Sequence, residues 1–169
     1  MSKKTSNSRN ARKSKNFAGI PRWVVETDRY ATLSPSAIKL LVLLAYQYKG
    51  KNNGDLVITH SLLNKHFKSN TTMYKARDEL LNKGFIAINA YGGKSYEGKK
   101  SPHLYALTWD SVDDFINTDK NLDRYTHLPI DVAPLNLFLK DKNPYLKKTS
   151  KQKKKQFMQD SKRANVVHG

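Results

Sequence analysis

Two stretches of this chain carry polar side chains at spacings that suit a polyanion. The first is Ser69-Asn70-Thr71-Thr72-Met73-Tyr74-Lys75. Coiled as a helix, it presents hydroxyls, a carboxamide and an ammonium to solvent. An α-helix fits the major groove of B-DNA, where base edges offer a readable pattern of donors and acceptors. Asn70 suits adenine, Thr71 or Thr72 a thymine methyl or a phosphate, and Lys75 guanine or a phosphate. Asp78, one turn further, suits cytosine or a local ion pair, and Arg77 an acid on a neighbouring element or DNA. The second stretch, Tyr91 to Ser101, holds three glycines, three lysines and two tyrosines. Its Lys94, Lys99 and Lys100 are suited to phosphates or the minor groove, and Tyr91 and Tyr96 to the sugar backbone. Lys65 and Lys68, just ahead of the first stretch, suit phosphates. Each residue also has a plainer role: Ser69 or Asn70 as a helix cap, Thr71 and Thr72 as solvated first-turn residues, and the loop lysines as charge that keeps a mobile loop hydrated.

Other chemistries find little support. The histidines are His60, His66, His103, His127 and His168; none forms an H-x-x-x-H pair or a His-hydrophobe-His triplet. Carboxylates stand singly except Asp78-Glu79 and Asp113-Asp114, so no acidic metal cluster is evident. The phosphate-cradling G-x-x-x-x-G-K-[ST] pattern is absent. There are no cysteines, which excludes disulfides and Cys-based zinc sites and fits a reducing cytoplasm. The expectation is a non-enzymatic protein with no metal and no cofactor.

Charge points the same way. The formal net charge is +17 over 169 residues. Residues 1–18 hold six Lys/Arg and no acid, and residues 140–169 hold ten against two. Between them, residues 19–112 are mildly basic and residues 113–139 acidic. Two basic ends around one domain suit nucleic acid better than a membrane, because they lack the aromatic and leucine face of an interfacial helix. No run of 18 apolar residues offers a membrane span, and no apolar segment follows the basic N-terminus to make a secretory signal.

The elements that must position these residues follow from periodicity and punctuation. Residues 1–16 have almost nothing to bury and read as a disordered basic arm. Residues 17–33 read as an extended lead-in with one turn near Arg22 to Asp28, Trp23 anchoring it in the core. Ser34-Pro35 starts a helix that runs to Tyr48, since Ser caps free amides and Pro is harmless at the first helical position. Ile38, Leu41, Val42, Ala45 and Tyr48 mark its apolar stripe, widened by Leu40, Leu43 and Leu44, and Gly50 closes it. After the turn Asn52-Asn53-Gly54-Asp55 comes a short strand, Leu56 to Ile58. A second helix spans His60 to Phe67, capped by Thr59 or Ser61, with Leu62, Leu63 and Phe67 inward. The third spans Thr71 to Lys83, with Met73, Ala76, Leu80 and Leu81 inward and Gly84 ending it. Strands Phe85 to Asn89 and Leu104 to Thr108 flank the basic loop. Alternation puts Leu104, Ala106 and Thr108 on one face of the last strand and Tyr105, Leu107 and Trp109 on the other, and leaves the core face open. Residues 113–146 form a linker or docking segment whose Leu135 to Leu139 cluster is too short for a core of its own. It docks on the domain, a second copy or another protein. Residues 147–169 form a basic, disordered tail.

The segment Leu33-Ser34-Pro35-Ser36-Ala37-Ile38-Lys39-Leu40-Leu41, the turn Asn52 to Asp55, and Arg77-Asp78-Glu79-Leu80-Leu81-Asn82-Lys83-Gly84-Phe85-Ile86 resemble winged helix-turn-helix DNA-binding proteins of phages, plasmids and other mobile elements. So does the closing Tyr105-Ala106-Leu107-Thr108-Trp109. The resemblance covers residues 19–112, within a domain of 17–112. It implies an α+β fold of three helices and a small β-hairpin wing, flanked by basic tails. In that family the second helix of the motif enters the major groove with its N-terminal residues nearest the bases. By position, these are Ser69, Asn70, Thr71, Thr72, Tyr74 and Lys75. Lys65, Lys68, Tyr91, Lys94, Tyr96, Lys99 and Lys100 would hold the wing and backbone. The group includes replication initiators and transcription regulators. The implied partners are double-stranded DNA, a homodimer or higher assembly on repeated sites, and a replication or transcription protein, with the chain in the cytoplasm at the nucleoid. The rival readings are an RNA-binding protein and a winged-helix module that docks another protein.

Overall fold

A computed structural model describes residues 18–93, 100–113, 126–130, 132–141 and 143–145. Both basic ends, Lys94, Tyr96 and Lys99 therefore lie outside the described residues. The class is α+β. Among the described residues there are five α-helical segments, not three: α1 Arg22–Val25, α2 Asp28–Ala31, α3 Pro35–Gln47, α4 His60–Leu63 and α5 Asn70–Lys83. A three-stranded antiparallel sheet is built from β1 Leu56–Val57, β2 Ile86–Ala90 and β3 Leu104–Leu107, with β3 in the middle. A 3-10 turn, Leu137–Leu139, follows.

The lead-in is more helical than its Gly and Pro residues suggest. Pro21 starts α1, and the Thr27 side chain caps α2 by accepting from the Tyr30 amide. Val24, fully buried, anchors this segment. Trp23 is not the core anchor. It sits at the rim, 43% exposed, with its ring 5.4 Å from that of Phe138.

Ser34 caps α3 by accepting from the Ala37 amide at 3.2 Å. The buried stripe is Ala37, Leu40, Leu41, Leu44 and Ala45, whereas Val42 falls outside it and is exposed. Gly50 does not close this helix. Tyr48 turns extended at its end, and Gly50 takes its positive φ of 87° two residues later. The Gln47 side chain meets the last strand residue of β1 instead, donating to the Val57 carbonyl at 3.0 Å and accepting from its amide at 2.9 Å. The Tyr48 phenol is pushed well above its usual pKa by burial and by its hydrogen bond to Asp110. Helix α4 stops at Leu63, four residues short of Phe67, and Thr59 makes no side-chain cap. Leu63 and Phe67 point inward as expected, but Leu62 is exposed.

Both faces of β3 are buried, which answers the question left open by its alternation. Tyr105, Leu107 and the following Trp109 join the main core with α3, α5 and Phe85. Ala106 and its cross-strand partner Ala87 are covered by Val112, Leu128, Leu135 and Leu137. Two alanines leave no bulk on that face, so the later chain can lie against the sheet. The Leu135 to Leu139 cluster thus docks on the chain's own sheet, with Leu139 left exposed. Phe138 stacks on Phe85 at 5.2 Å and 7°. Gly84 allows this approach. It ends α5 at φ 79°, and a Cβ there would lie 2.6 Å from the Leu137 backbone.

Polar groups complete the packing. Asn53 is buried, and its carboxamide faces Leu107 of β3: the Leu107 amide donates to Oδ1 at 2.7 Å, and Nδ2 donates to the Leu107 carbonyl at 2.9 Å. Nδ2 also reaches the carbonyls of Ser111 and Asp110 at 2.7 and 3.3 Å. Asn89 is the extra residue of a β-bulge between Ile88 and Ala90, and its side chain reaches the Gly54 carbonyl. Glu79 of α5 accepts from the Ser34 amide at 2.9 Å and its hydroxyl at 2.6 Å, and pairs with Lys83 at 3.2 Å. Burial pushes the Glu79 pKa up, but the Ser34 hydrogen bonds and Lys83 outweigh it and hold the carboxyl below its ordinary value.

Two outcomes follow. Asn53→Ala strands the Leu107 amide and carbonyl in the interior and is expected to cost about 2–4 kcal/mol, read by denaturant unfolding. Because the Glu79 pKa is depressed on folding, its contribution is fully present above the ordinary carboxylate range and is lost as pH falls below that range towards the lowered folded value. Glu79→Gln is therefore expected to be less stable than the parent at pH 7, with the difference closing below about pH 4 in a pH series of melts.

Candidate nucleic-acid interface

Helix α5 owes its orientation to its buried side. Met73, Ala76 and Leu80 are in the core, so the N-terminal half turns the opposite side outward. Ser69 is the cap, its hydroxyl accepting from the Thr72 amide at 3.5 Å, which frees Asn70 for the first helical turn. Asn70, Thr71, Thr72, Tyr74 and Lys75 are all exposed, as is Asp78. Lys65 and Lys68 are exposed too, in the turn between α4 and α5, not at the end of a longer helix. Lys39 of α3 braces this turn, its ammonium donating to the His66 carbonyl at 2.5 Å and lying 5.3 Å from the Phe67 ring centre.

The glycine-rich loop leaves the sheet through a narrow neck. The Ser101 amide donates to the Gly93 carbonyl at 2.8 Å, and the Gly92 amide donates to Nδ1 of His103 at 2.9 Å. A Cβ on Gly92 would sit 2.2 Å from the Ser101 carbonyl oxygen, so only glycine lets the two limbs come this close. Tyr91 does not lie out along the loop. It is half-buried, edge-on to His103 at 5.6 Å and to His127 at 4.8 Å, and burial raises its pKa. Lys100 is exposed at the neck.

Between α5 and this neck lies an open cleft of about 390 Å³. Tyr74 and Arg77 form one wall, Gly92, Gly93 and residues 100–103 the other, and Ile58, Thr59 and Tyr105 the floor. Arg77 is the residue that sequence reasoning left undecided. It pairs with its own neighbour, donating from Nε and Nη2 to one Asp78 oxygen at 2.8 and 2.6 Å, not with an acid on another element. Its guanidinium also lies 4.8 Å from the Tyr74 ring centre. Burial works against the charge, but Asp78 and the Tyr105 hydroxyl outweigh it. The three-residue spacing of Tyr74 and Arg77 was the available signal, since such pairs meet on one helix face. The cleft itself had none, because its walls come from segments far apart in sequence.

Among the described residues, no group of three or more His, Asp or Glu is placed to hold a metal ion. No helix among them is long and apolar enough to cross a membrane. Comparison of the chain with protein-family models, with curated proteins and with solved structures finds no match.

Gly92→Ala is expected to force the neck apart. Amide exchange at Ser101 should then quicken at least tenfold, while protection within α3 and α5 stays at the parental level.

Proposed function

We propose that this chain is a sequence-reading, double-stranded-DNA-binding protein with a winged-helix arrangement, and that the N-terminal half of α5 enters the major groove. The observation that carries the reading is the outward face of α5. Asn70, Thr71, Thr72 and Lys75 stand exposed on a helix whose other side is locked into the core, beside a hairpin whose neck carries Lys100. The element order from α3 through β1, α4, α5, β2 and β3 supports the arrangement, as does the strand order β1-β3-β2. The net charge of +17 supports a polyanionic partner. Ser69 is assigned to capping and to at most a phosphate contact, and Tyr91 to the base of the hairpin.

The biological role under this reading is replication initiation or transcription regulation in a mobile element, carried out in the cytoplasm at the nucleoid. A free apolar cluster at Leu135 to Leu139 would favour a larger assembly. With Leu135, Leu137 and Phe138 committed to the chain's own sheet, the cluster no longer favours initiation, and the long basic extensions are the feature that still leans that way.

Selection from a random duplex pool with the full chain, at near-physiological salt, is the direct test. A recovered consensus is expected, and Asn70→Ala should relax it at one position by about 1–3 kcal/mol. Binding to duplex without any consensus, or a clear preference for structured RNA, would overturn the reading.

A further inference from the structure

The cleft between α5 and the hairpin neck has a mixed lining. Arg77 and Lys100 bring positive charge, Thr59 and Ser101 bring hydroxyls, and Ile58, Pro102 and the Tyr74 ring bring apolar surface. That combination matches a sugar–phosphate backbone: anionic oxygens on one side, a deoxyribose on the other. The geometry of a duplex makes the match specific. Major and minor grooves are separated by a single strand's backbone. A protein with a helix in the major groove and a hairpin on the adjoining minor groove must straddle that backbone, and the space between helix and hairpin is where it runs. We infer that this cleft seats the sugar–phosphate ridge of one DNA strand, with Arg77 as its phosphate ligand and Asp78 as the group that orients Arg77 and offsets its charge. The inference rests on the duplex-reading proposal above and assigns to it a site on the chain.

Arg77 is built for this part. Tyr74 and Asp78 hold the guanidinium in one place, with 23% of its side chain exposed. A guanidinium has five N–H donors, and Asp78 takes two of them through a single oxygen. The Tyr105 hydroxyl faces it from the floor of the cleft. Donors remain for a phosphate, and the fork geometry suits one. Asp78 is more than half exposed and shares no hydrogen bond with the core, so its effect on a bound phosphate is repulsive. Tyr74 is correspondingly a wall of the cleft against the sugar, not a reader of bases.

The test compares the full chain with Arg77→Gln, Asp78→Asn, Lys100→Gln and the double variant Arg77→Gln/Asp78→Asn, on the selected duplex and on a scrambled one across a salt series. Thermal melts establish that each variant is folded. Arg77→Gln is expected to weaken binding to both duplexes by a similar factor, about tenfold, and to lower the salt slope by about one. Lys100→Gln should act in the same direction. Asp78→Asn should tighten binding to both, roughly twofold to fivefold, because it removes a negative charge beside the phosphate. The double variant should bind more tightly than Arg77→Gln alone, because the charge beside the phosphate is gone, and less tightly than Asp78→Asn. Moving one neutral methylphosphonate along each strand should reveal a position that weakens the parent but not Arg77→Gln. Loss of base preference in Asp78→Asn would make Asp78 a base reader and overturn the inference, as would Arg77→Gln binding at parental strength. In either case a parental consensus would leave the duplex-reading proposal standing; a parent that binds no duplex would remove both.

Discussion

The whole arrangement depends on β3 having no face in solvent. A strand buried on both sides must find a partner for every backbone donor and acceptor, because an unpaired one cannot turn to water. β2 supplies those on one edge. On the other edge β1 is only two residues long, pairing Leu56 with Tyr105 and Val57 with Leu104. Leu107 lies beyond its reach, and the Asn53 carboxamide takes the place of the missing strand, offering one acceptor and one donor as a peptide group would. The same residue holds Asp113 through its backbone, so the chain leaving the sheet is tied to the turn that precedes it.

From that burial the position of α5 follows. The helix core uses one face of the sheet, and residues 126–145 contribute the cover for the other. Their close approach is allowed by Ala87, Ala106 and Gly84. Thr108 fastens the two layers, its hydroxyl donating to the Gly84 carbonyl at 2.6 Å and its carbonyl accepting from the Asn136 amide at 2.7 Å. The C-terminal end of α5 is thereby enclosed: Arg29 reaches the carbonyls of Lys83 and Leu137, and Lys83 reaches Thr32. Among the described residues, the exposed side chains of its N-terminal end, Asn70, Thr71, Thr72 and Lys75, fasten no second element. Charge divides along the same line. Arg29 and Lys83 are committed to fastening elements together, while Lys65, Lys68, Lys75 and Lys100 stand exposed.

Much of this was legible from local chemistry. Ser34-Pro35 and the pair Ser69-Asn70 mark helix starts because a side-chain oxygen beside free amides acts within one turn, and only the structure chooses Ser69 of the pair as the cap. Met73, Ala76 and Leu80 reveal their face because helical spacing depends on nothing outside the helix. Gly84 was readable as a helix end, though its second duty, making room for Leu137, was not. Gly50, Leu62, Val42 and Trp23 were misread for a common reason: each has the residue type for its expected role, and only the neighbours decide whether that role is available. Val24 rather than Trp23 meets the core, and Gln47 with Tyr48 ends α3 before Gly50 is reached.

By itself, the sequence determined the class of the fold, the cap of α3, the start of α5 to within Ser69 or Asn70, the outward residues of α5 and the positive charge that suits a polyanion. These rest on interactions that span a turn of helix or on simple counting. Only the tertiary structure decided that β3 is buried twice, that Leu135, Leu137 and Phe138 cover the chain's own sheet, that Asn53 substitutes for a strand, and that Arg77 looks into a cleft. Those outcomes join residues tens of positions apart. Pairing of that kind is set by which surfaces pack against each other, and no local pattern encodes it.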